Sequence, residues 1–449
     1  MNTRTALRLQ NGLGTLQDKV NDALRLAKQL GASQAEANAS FGTGFSVNVR
    51  MREVETLRHQ RDQGLSVTVW LGHRKGSAST SDLRSEAIEE SVRKACALAR
   101  YGAEDPASGL ADADRLAKSI PDLSLHHPWA IDPAVAIDLA TICEAAALDL
   151  DPRVTNSEGA SVSTSESLRV YGNSHGFLGS YPESDHSISC SVVATQDGAM
   201  ETDYEYAVAR DAADLPSAAE IGREAGRRTV ARLGGTKLET RTAPVLFPAR
   251  IARGLIGHLL GAISGSALYR KSSFLVDALG KPVFASRVTI DEKPHLRKAL
   301  ASAPFDDEGV ATMERRLVDA GVLGGYLLGS YYARKLGMAS TGNSGGAHNL
   351  VVHGTGETYA DLLRTMGKGL VIADLMGSGV NPVTGDYSRG ASGFWVENGQ
   401  IQYPVTEITI AGNLKEVFRG ILGIGNDVDR RGGVLTGSIL LEQMTIGGS

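Results

Sequence analysis

Apolar residues in the first part of the chain recur at helical spacing and then alternate along extended runs. One helical face of residues 16–30 carries Leu16, Val20, Ala23, Leu24, Ala27 and Leu30, and Gly31 follows as a candidate C-cap. Two runs of alternation come next, at residues 45–49 and 65–71, and glycines bound or separate them. This order predicts a helix followed by an antiparallel meander.

The pattern then predicts further helices and strands, two of them with recognisable capping residues. Ser81 or Asp82 is the expected cap of the next helix. Asp132 with Pro133 marks the start of another, because proline suits the first helical position. The predicted elements are two helices, two strands and a helix, in that order, at residues 81–102, 132–150, 161–171, 187–195 and 218–233.

From about residue 241 onward the chain is punctuated by glycines and is mostly strand-like. Asn398-Gly399 lies between two alternating runs and suits a type I′ turn, which predicts a β-hairpin. Two segments keep helical spacing, LIGHLLGAISG at residues 255–265 and TYADLLRTMGKG at residues 358–369.

These elements predict an α+β protein with two main parts. The first part is an N-terminal α/β region, residues 1–240, in which helices flank an antiparallel meander. A polar connection with several prolines offers a further division of this region into residues 1–105 and 125–240. The second part, residues 241–449, is a β-rich C-terminal domain.

The composition excludes several classes of protein. The chain has 449 residues, of which 42% are hydrophobic and 22% charged, and its formal net charge is −5. A mildly acidic chain has no general electrostatic footprint for nucleic acid or an anionic membrane. No stretch approaches the roughly 20 apolar residues of a membrane span, and residues 1–20 lack an apolar leader. We expect a cytoplasmic protein without nucleic-acid or membrane partners.

His258, within the predicted helix at residues 255–265, is the first candidate metal ligand. Residues four apart on a helix can share a metal, but Gly254 and Ala262 occupy those positions around His258. The next residue is Leu259, so no carboxylate is in place as a general base. A lone histidine on such a face more often belongs to a packed core.

His348 and His353 form a wider pair in the segment HNLVVH. Five residues along a strand point to the opposite face, and Asn349 occupies the place where a general base would be glutamate. A metal site here, and with it an autonomous hydrolase, is the least favoured alternative. The three cysteines form no C-x-x-C pair, and neither a G-x-S-x-G nor a phosphate-binding lysine loop is present.

A polar segment with several glycines precedes the predicted hairpin. It contains Asp386, Tyr387, Ser388 and Arg389 in a row. One interpretation is a loop of solvated polar residues, and the other is a rim that contacts a peptide substrate or a partner subunit. The residues alone favour neither.

Several long segments resemble the PmbA/TldE group of the TldD/PmbA peptidase family, also called modulator of DNA gyrase. The segment VNPVTGDYSRGASGFWVENGQIQYPVTEITIAGNL, followed by IGNDVD, carries the strongest resemblance. The others are HRKGSASTSDL, VYGNSHGFLGSY, LYRKSSFLVDALGK and STGNSGGAHNL. Together these segments spread over nearly the whole chain.

The resemblance implies a fold and a function. Members of the group pair with a homologous subunit, TldD, in a cytosolic peptidase that hydrolyses small or unfolded peptides and takes part in peptide maturation. Both subunits have an N-terminal α/β part and a C-terminal β-barrel-like part. TldD carries the zinc, on a helix with an H-E-x-x-x-H motif and a cysteine near its C-terminus.

These zinc ligands do not carry over to this chain. At the implied position of the zinc helix the sequence is GHLLGAI, where His258 is alone, and no cysteine follows Cys190. The first hypothesis is therefore a subunit that lacks catalytic residues and any cofactor of its own, the zinc being expected in a TldD-like partner. His258 would mark a degenerate metal-helix position. The alternative is a homodimeric peptide-binding or scaffold protein without peptidase activity.

Overall fold

The computed structural model describes residues 3–448, with side-chain burial described from residue 13 onward. The expectation drawn from residues 1–20 therefore falls partly outside the described residues. Within residues 3–448, no helix is both long and apolar enough to cross a membrane. The helices are α1 Thr3–Gln29, α2 Ser85–Tyr101, α3 Pro133–Leu148, α4 Ala218–Ala231, α5 Ala249–Ala262, α6 Gly265–Tyr269, α7 Ser330–Lys335, α8 Tyr359–Met366 and α9 Leu414–Arg419.

A six-stranded antiparallel sheet forms the N-terminal half, in the order β3-β2-β1-β4-β5-β6. Its strands are β1 Gln34–Arg50, β2 Glu53–Leu71, β3 Arg74–Thr80, β4 Val154–Asn173, β5 Leu178–Gln196 and β6 Ala199–Ala209. The tight turn between β1 and β2 uses Met51 and Arg52, with φ of 51° and 68°. Such left-handed conformations at both central residues suit the twist of a hairpin.

Two hydrophobic cores lie along one face of this sheet. Alternate residues of β1 are buried, and Ala35 and Ala37 pack with α1 and α2 while Val47 and Val49 pack with α3 and α4. All four side chains point to the same face, since strand residues alternate between faces. The long strands thus carry two helix pairs side by side.

The C-terminal half contains a closed five-stranded barrel, β14-β13-β12-β7-β17, in which β14 pairs with β17. A second sheet has the order β10-β9-β8-β11-β16, and β15 pairs with β17. The strands are β7 Arg241–Phe247, β8 Ile290–Glu292, β9 Arg315–Asp319, β10 Val322–Leu323, β11 Leu350–Val352, β12 Gly369–Met376, β13 Asp386–Glu397, β14 Gln400–Asn413, β15 Ile421–Ile424, β16 Val434–Leu435 and β17 Ile439–Gly447.

The α+β class and the barrel-like C-terminal part are confirmed. The predicted type I′ hairpin is also confirmed, since Asn398 and Gly399 have φ of 53° and 72° between β13 and β14. The cap predicted for α2 is wrong. This helix starts one residue after Arg84, which has no side-chain cap bond, and Asp82 instead accepts hydrogen bonds from Arg84.

Several elements gave no sequence signal. Helices α6, α7 and α9 have five or six residues each, too few for a periodic pattern. Strand β6 was missed because its inward face is polar. Asp203 on this strand is buried, and its Oδ2 lies 3.2 Å from Nη2 of Arg228. A polar residue therefore occupies the buried face, where alternation normally places an apolar one.

Candidate functional site

Helix α5 carries His258 and packs between the barrel and the second sheet. It begins after Pro248, directly behind β7, and its apolar stripe faces the C-terminal core. Leu255, Leu259 and Ala262 are buried in that stripe, whereas His258 is half-buried on a different side of the helix. The side chains that surround His258 on that side of the helix therefore determine its chemistry.

The neighbours of His258 come from β13. Tyr387 meets the imidazole edge-to-face, with ring centroids 5.8 Å apart and planes at 78°. Arg389 lies two residues further along the strand, on the same face as Tyr387, and its Nη2 donates to the carbonyl oxygen of Leu375 at 3.2 Å. The fold thus brings together three of the residues singled out from the sequence.

The electrostatics of this cluster favour a neutral histidine beside a cation. Burial lowers the pKa of His258, and the guanidinium of Arg389 lowers it further. Burial raises the pKa of Tyr387, although Arg389 acts in the opposite direction. At neutral pH the cluster therefore contains an uncharged imidazole, an uncharged phenol and one positive charge.

Asp386 and Ser388 point away from this cluster and are exposed. Asp386 accepts hydrogen bonds from Thr384 Oγ1 at 2.6 Å and from Asn413 Nδ2 at 3.0 Å, and these bonds lower its pKa. The backbone N–H of Ser388 donates to the carbonyl oxygen of Gly379 at 2.7 Å. Asp386 thereby holds the turn at residues 381–386 against the end of β14.

The interpretation of residues 386–389 as a loop is wrong, because they begin β13 and pair with residues 410–413 of β14. Tyr387 is 2% exposed and cannot reach a partner at the surface. The glycines that indicated a loop have another cause. A Cβ at Gly393 would lie 2.0 Å from the carbonyl oxygen of Val371, so the close approach of β12 and β13 requires glycine there.

The residues around α5 do not fit a zinc ion. Within residues 13–448, no group of three or more His, Cys, Asp or Glu side chains is placed to hold a metal. Ala262 and Leu259 are buried apolar residues, and Arg389 would repel a cation beside His258. Cys96, Cys143 and Cys190 are buried and free in the N-terminal half.

His348 and His353 have separate partners on either side of β11. Nε2 of His348 lies 3.0 Å from the carbonyl oxygen of Gly342, and the residue is 9% exposed. Nε2 of His353 lies 2.8 Å from Oδ2 of Asp291 at the surface, where His353 is 44% exposed. The two imidazoles therefore serve different local contacts.

A buried polar network supports the STGNSGGAHNL segment and was missed from the sequence. Glu292 is 1% exposed and accepts from Arg315 Nε at 2.7 Å, Asn343 Nδ2 at 2.7 Å and the N–H of His348 at 2.9 Å. Each carboxylate oxygen is thus satisfied within the protein. A lone glutamate in a three-residue strand gives no sequence signal for this role.

Comparisons with known proteins agree on one family. Models described as PmbA/TldA metallopeptidase domain 1, central domain and C-terminal domain match residues 35–99, 126–233 and 240–448. The chain is similar to Metalloprotease PmbA from Escherichia coli O157:H7, with 49% identity over 434 residues and 96% of each chain covered.

Two solved structures share the fold over nearly the whole chain. One is a candidate modulator of DNA gyrase from Bacteroides thetaiotaomicron, with a TM-score of 0.92, 28% identity, and 96% of this chain and 98% of that chain covered. The other is TldE from Thermococcus kodakarensis, with a TM-score of 0.81, 19% identity, and 96% and 100% covered. At 19% identity the second likeness is one of fold.

Proposed function

Because this chain belongs to the PmbA/TldD metallopeptidase family, we propose that it is a non-catalytic subunit of the TldE type, which acts with a homologous TldD-like partner. The zinc and the general base would belong to the partner. This chain would supply one wall of the chamber in which small or unfolded peptides are cleaved, and it would work in the cytoplasm.

The observation that carries this proposal is the set of neighbours around His258. A catalytic zinc site needs three protein ligands and an open position for water. Here the imidazole packs on Tyr387 and lies beside the cation of Arg389, so the helix supports packing in place of coordination. The TldE-like fold of the chain supports a TldD-like partner.

Asp386 and Ser388 are the parts of the predicted contact region that a substrate or partner could reach. Both are exposed at the start of β13, whereas Tyr387 and Arg389 lie behind them. An extended peptide that binds through its main chain would be recognised with little sequence preference. We keep Asp386 and Ser388 as contacts, with Tyr387 and Arg389 as their support.

Reconstitution tests the proposal. The purified chain, the TldD-like partner and the mixture of both are each assayed with an unfolded peptide, with zinc and with a chelator. The mixture should cleave the peptide, the partner alone should cleave it more weakly, and this chain alone should not cleave it. Zinc analysis of the chain alone should give far less than one ion per chain. Chelator-sensitive cleavage by the isolated chain, or one bound zinc per chain, contradicts the proposal.

The contact residues are tested in the same mixture. Asp386→Asn keeps the shape of the side chain but removes its charge and one of the two oxygens that accept from Thr384 and Asn413. Ser388→Ala removes one exposed hydroxyl. We expect the double variant to raise KM or to weaken the subunit contact severalfold. Asp319→Ala, an exposed carboxylate on β9, is the matched control.

The alternative is a homodimeric peptide-binding or scaffold protein. It predicts a chain that binds unfolded peptides alone, does not associate with a TldD-like subunit, and leaves the activity of that subunit unchanged. Co-purification of the two chains separates the alternatives directly.

A further inference from the structure

The two free edges of the N-terminal sheet differ in how they are protected. At the β6 edge, arginine side chains donate to the outward carbonyl oxygens of three alternate residues. The pairs are Arg232 with Thr202 at 3.1 Å, Arg250 with Tyr204 at 3.3 Å and Arg431 with Tyr206 at 2.9 Å. Covering the polar groups of an edge strand in this way prevents another strand from adding to it.

The opposite edge is open over the first half of β2. Strand β3 pairs with residues 65–71 of β2, so residues 53–63 have β1 on one side and no described strand on the other. Nearly all of these side chains are exposed, including Val54 at 47% and Leu57 at 44%. An edge of this length with exposed apolar residues is a template for strand pairing.

This edge is held in place by the rest of the domain. Glu144 on α3 is fully buried and accepts from the N–H groups of Met51 at 2.8 Å and Arg52 at 2.7 Å, which fixes the hairpin tip. Leu57 is opposite Val47 of β1, whose side chain is buried in the core. A partner strand would therefore meet a surface that is already ordered.

The charges along the edge identify the partner. Glu53 and Glu55 lie towards the hairpin tip, whereas Arg58, His59 and Arg61 lie towards β3, with Asp62 as the one acidic residue on that side. When two copies of this edge pair in antiparallel fashion, the acidic part of each faces the basic part of the other. Opposite charges across a strand pair stabilise it, and like charges oppose it.

Steric limits and charge together set the register. The tip of one copy must end before β3 of the other copy begins to pair at Leu65. Centring the pair on Leu57 meets this limit, places Leu57 against Leu57, and brings Glu53 opposite Arg61 and Glu55 opposite His59. Centring it on Arg58 would place two guanidinium groups against each other.

A bulge at Glu55 shifts the pairing of β2 with β1 by one residue. Glutamate and arginine side chains are long enough to span such a shift. Glu55 currently bonds Asn48 Nδ2 at 2.8 Å and lies 3.8 Å from Arg50, both on β1. These exposed contacts are weak and compatible with a second partner.

We propose that this edge is a self-association surface, at which β2 of one copy pairs antiparallel with β2 of a second copy about Leu57. The two six-stranded sheets then continue into one. This contact uses elements other than α5 and β13, so it does not rest on the function proposed above. It is compatible with a TldD-like partner bound elsewhere.

Charge reversal tests the proposal in solution. One variant, Glu53→Lys with Glu55→Lys, makes the acidic part of the edge basic, and another, Arg58→Glu with Arg61→Glu, makes the basic part acidic. Sedimentation of the full-length chain should show a dimer for wild type and at least a tenfold weaker dimer for each variant. A mixture of the two variants should recover a dimer containing one copy of each. Unchanged melting temperatures verify that both variants fold.

A cysteine at the symmetry axis tests the register. Leu57→Cys should form a disulfide-linked dimer on mild oxidation, because opposed strand residues lie within the Cα distance that a disulfide spans. Gln60→Cys, exposed on the same edge, is the control. In this register it would lie about 20 Å from its copy, at about 3.3 Å per residue, and should not cross-link.

Three results would overturn the proposal. The first is a wild-type chain that stays monomeric up to about 0.1 mM, a concentration that would detect even weak association. The second is self-association that neither charge reversal affects. In the third, the charge-reversal variants still self-associate but no longer bind a TldD-like subunit or an unfolded peptide. That result would show that this edge binds the subunit or the peptide.

Discussion

The imidazole of His258 packs against the phenol ring of Tyr387, with centroids 5.8 Å apart and planes at 78°. This contact joins helix α5 to barrel strand β13, and Arg389 on the same strand adds a positive charge beside it. A histidine held in this way contributes apolar contact and an edge-to-face ring interaction. Its protonation would be opposed both by burial and by Arg389.

The first prediction concerns that protonation. Arg389→Met should raise the pKa of His258, because one of its two depressing influences is removed. The pKa of His258 should still lie below the ordinary value of a histidine, since burial is the larger influence and remains. NMR titration of the histidine Cε1–H signals measures this, with Arg25→Met on the exposed face of α1 as the control. An unchanged or lower pKa would mean that the guanidinium does not act on His258.

The second prediction concerns Asp306, whose burial raises its carboxyl pKa to about 7. Its Oδ1 accepts from the N–H groups of Glu308 and Val310, and its Oδ2 accepts from that of Ser344. A raised folded-state pKa means that the native state binds more protons than the unfolded state between about pH 4 and pH 7. The stabilisation is complete below about pH 4 and is lost as the pH rises through about 7.

Asp306→Asn should remove this dependence. The free energy of unfolding of wild type minus that of the variant should fall by a few kcal/mol, as an order of magnitude, between about pH 4 and pH 7. Denaturant melts across this range provide the measurement, and Asp307→Asn, at the half-exposed neighbour, is the control. A difference that rises with pH would show that Asp306 is ionised and stabilised in the native state.

The third prediction concerns Glu144, which binds the N–H groups of Met51 and Arg52 from a fully buried position. Glu144→Ala leaves both donors without a partner and should cost about 2–3 kcal/mol of stability. Asp138→Ala, at an exposed position of the same helix, should change stability by less than about 0.5 kcal/mol. A loss for Glu144→Ala as small as that of the control would show that water replaces the carboxylate.

Much of the fold could be predicted because burial of one face imposes a pattern on the sequence. Val47 and Val49 alternate with polar residues since only one face of β1 is covered by helices. The turn at Asn398-Gly399 was predictable because its left-handed conformations restrict the residue types. Strand β6 could not be predicted, because Asp203 on its covered face is neutralised by arginines that are distant in sequence.

The candidate site shows a similar division. The helical position of His258 and its lack of ligand spacing follow from residues 254–262 alone. Its actual neighbours, Tyr387 and Arg389, could not be paired with it because the barrel brings β13 to α5 through tertiary contacts. The strand at Asp386 was hidden by glycines that close packing with β12 requires.

The last prediction concerns Arg431, which joins the N-terminal sheet to the C-terminal domain. Its guanidinium donates to the carbonyl oxygen of Tyr206 at 2.9 Å, binds Asp429 at 2.8 Å and Glu205, and lies 4.8 Å from the ring centre of Tyr206. Glu205 and Asp429 are 12% and 4% exposed, so neither has much water to replace a lost partner.

Arg431→Met should therefore destabilise the protein by about 3 kcal/mol, because it removes the cation that two poorly solvated carboxylates share and leaves Glu205 only Arg250, at 3.7 Å. It should also speed hydrogen exchange along β6, whose outer carbonyl groups it helps to cover. Arg430→Met, at the exposed neighbouring position, keeps the backbone and removes the same charge, so it should change neither quantity appreciably. Equal effects of the two substitutions would show that the loss of a positive charge, and not the loss of the contacts of Arg431, sets the stability of the β6 edge.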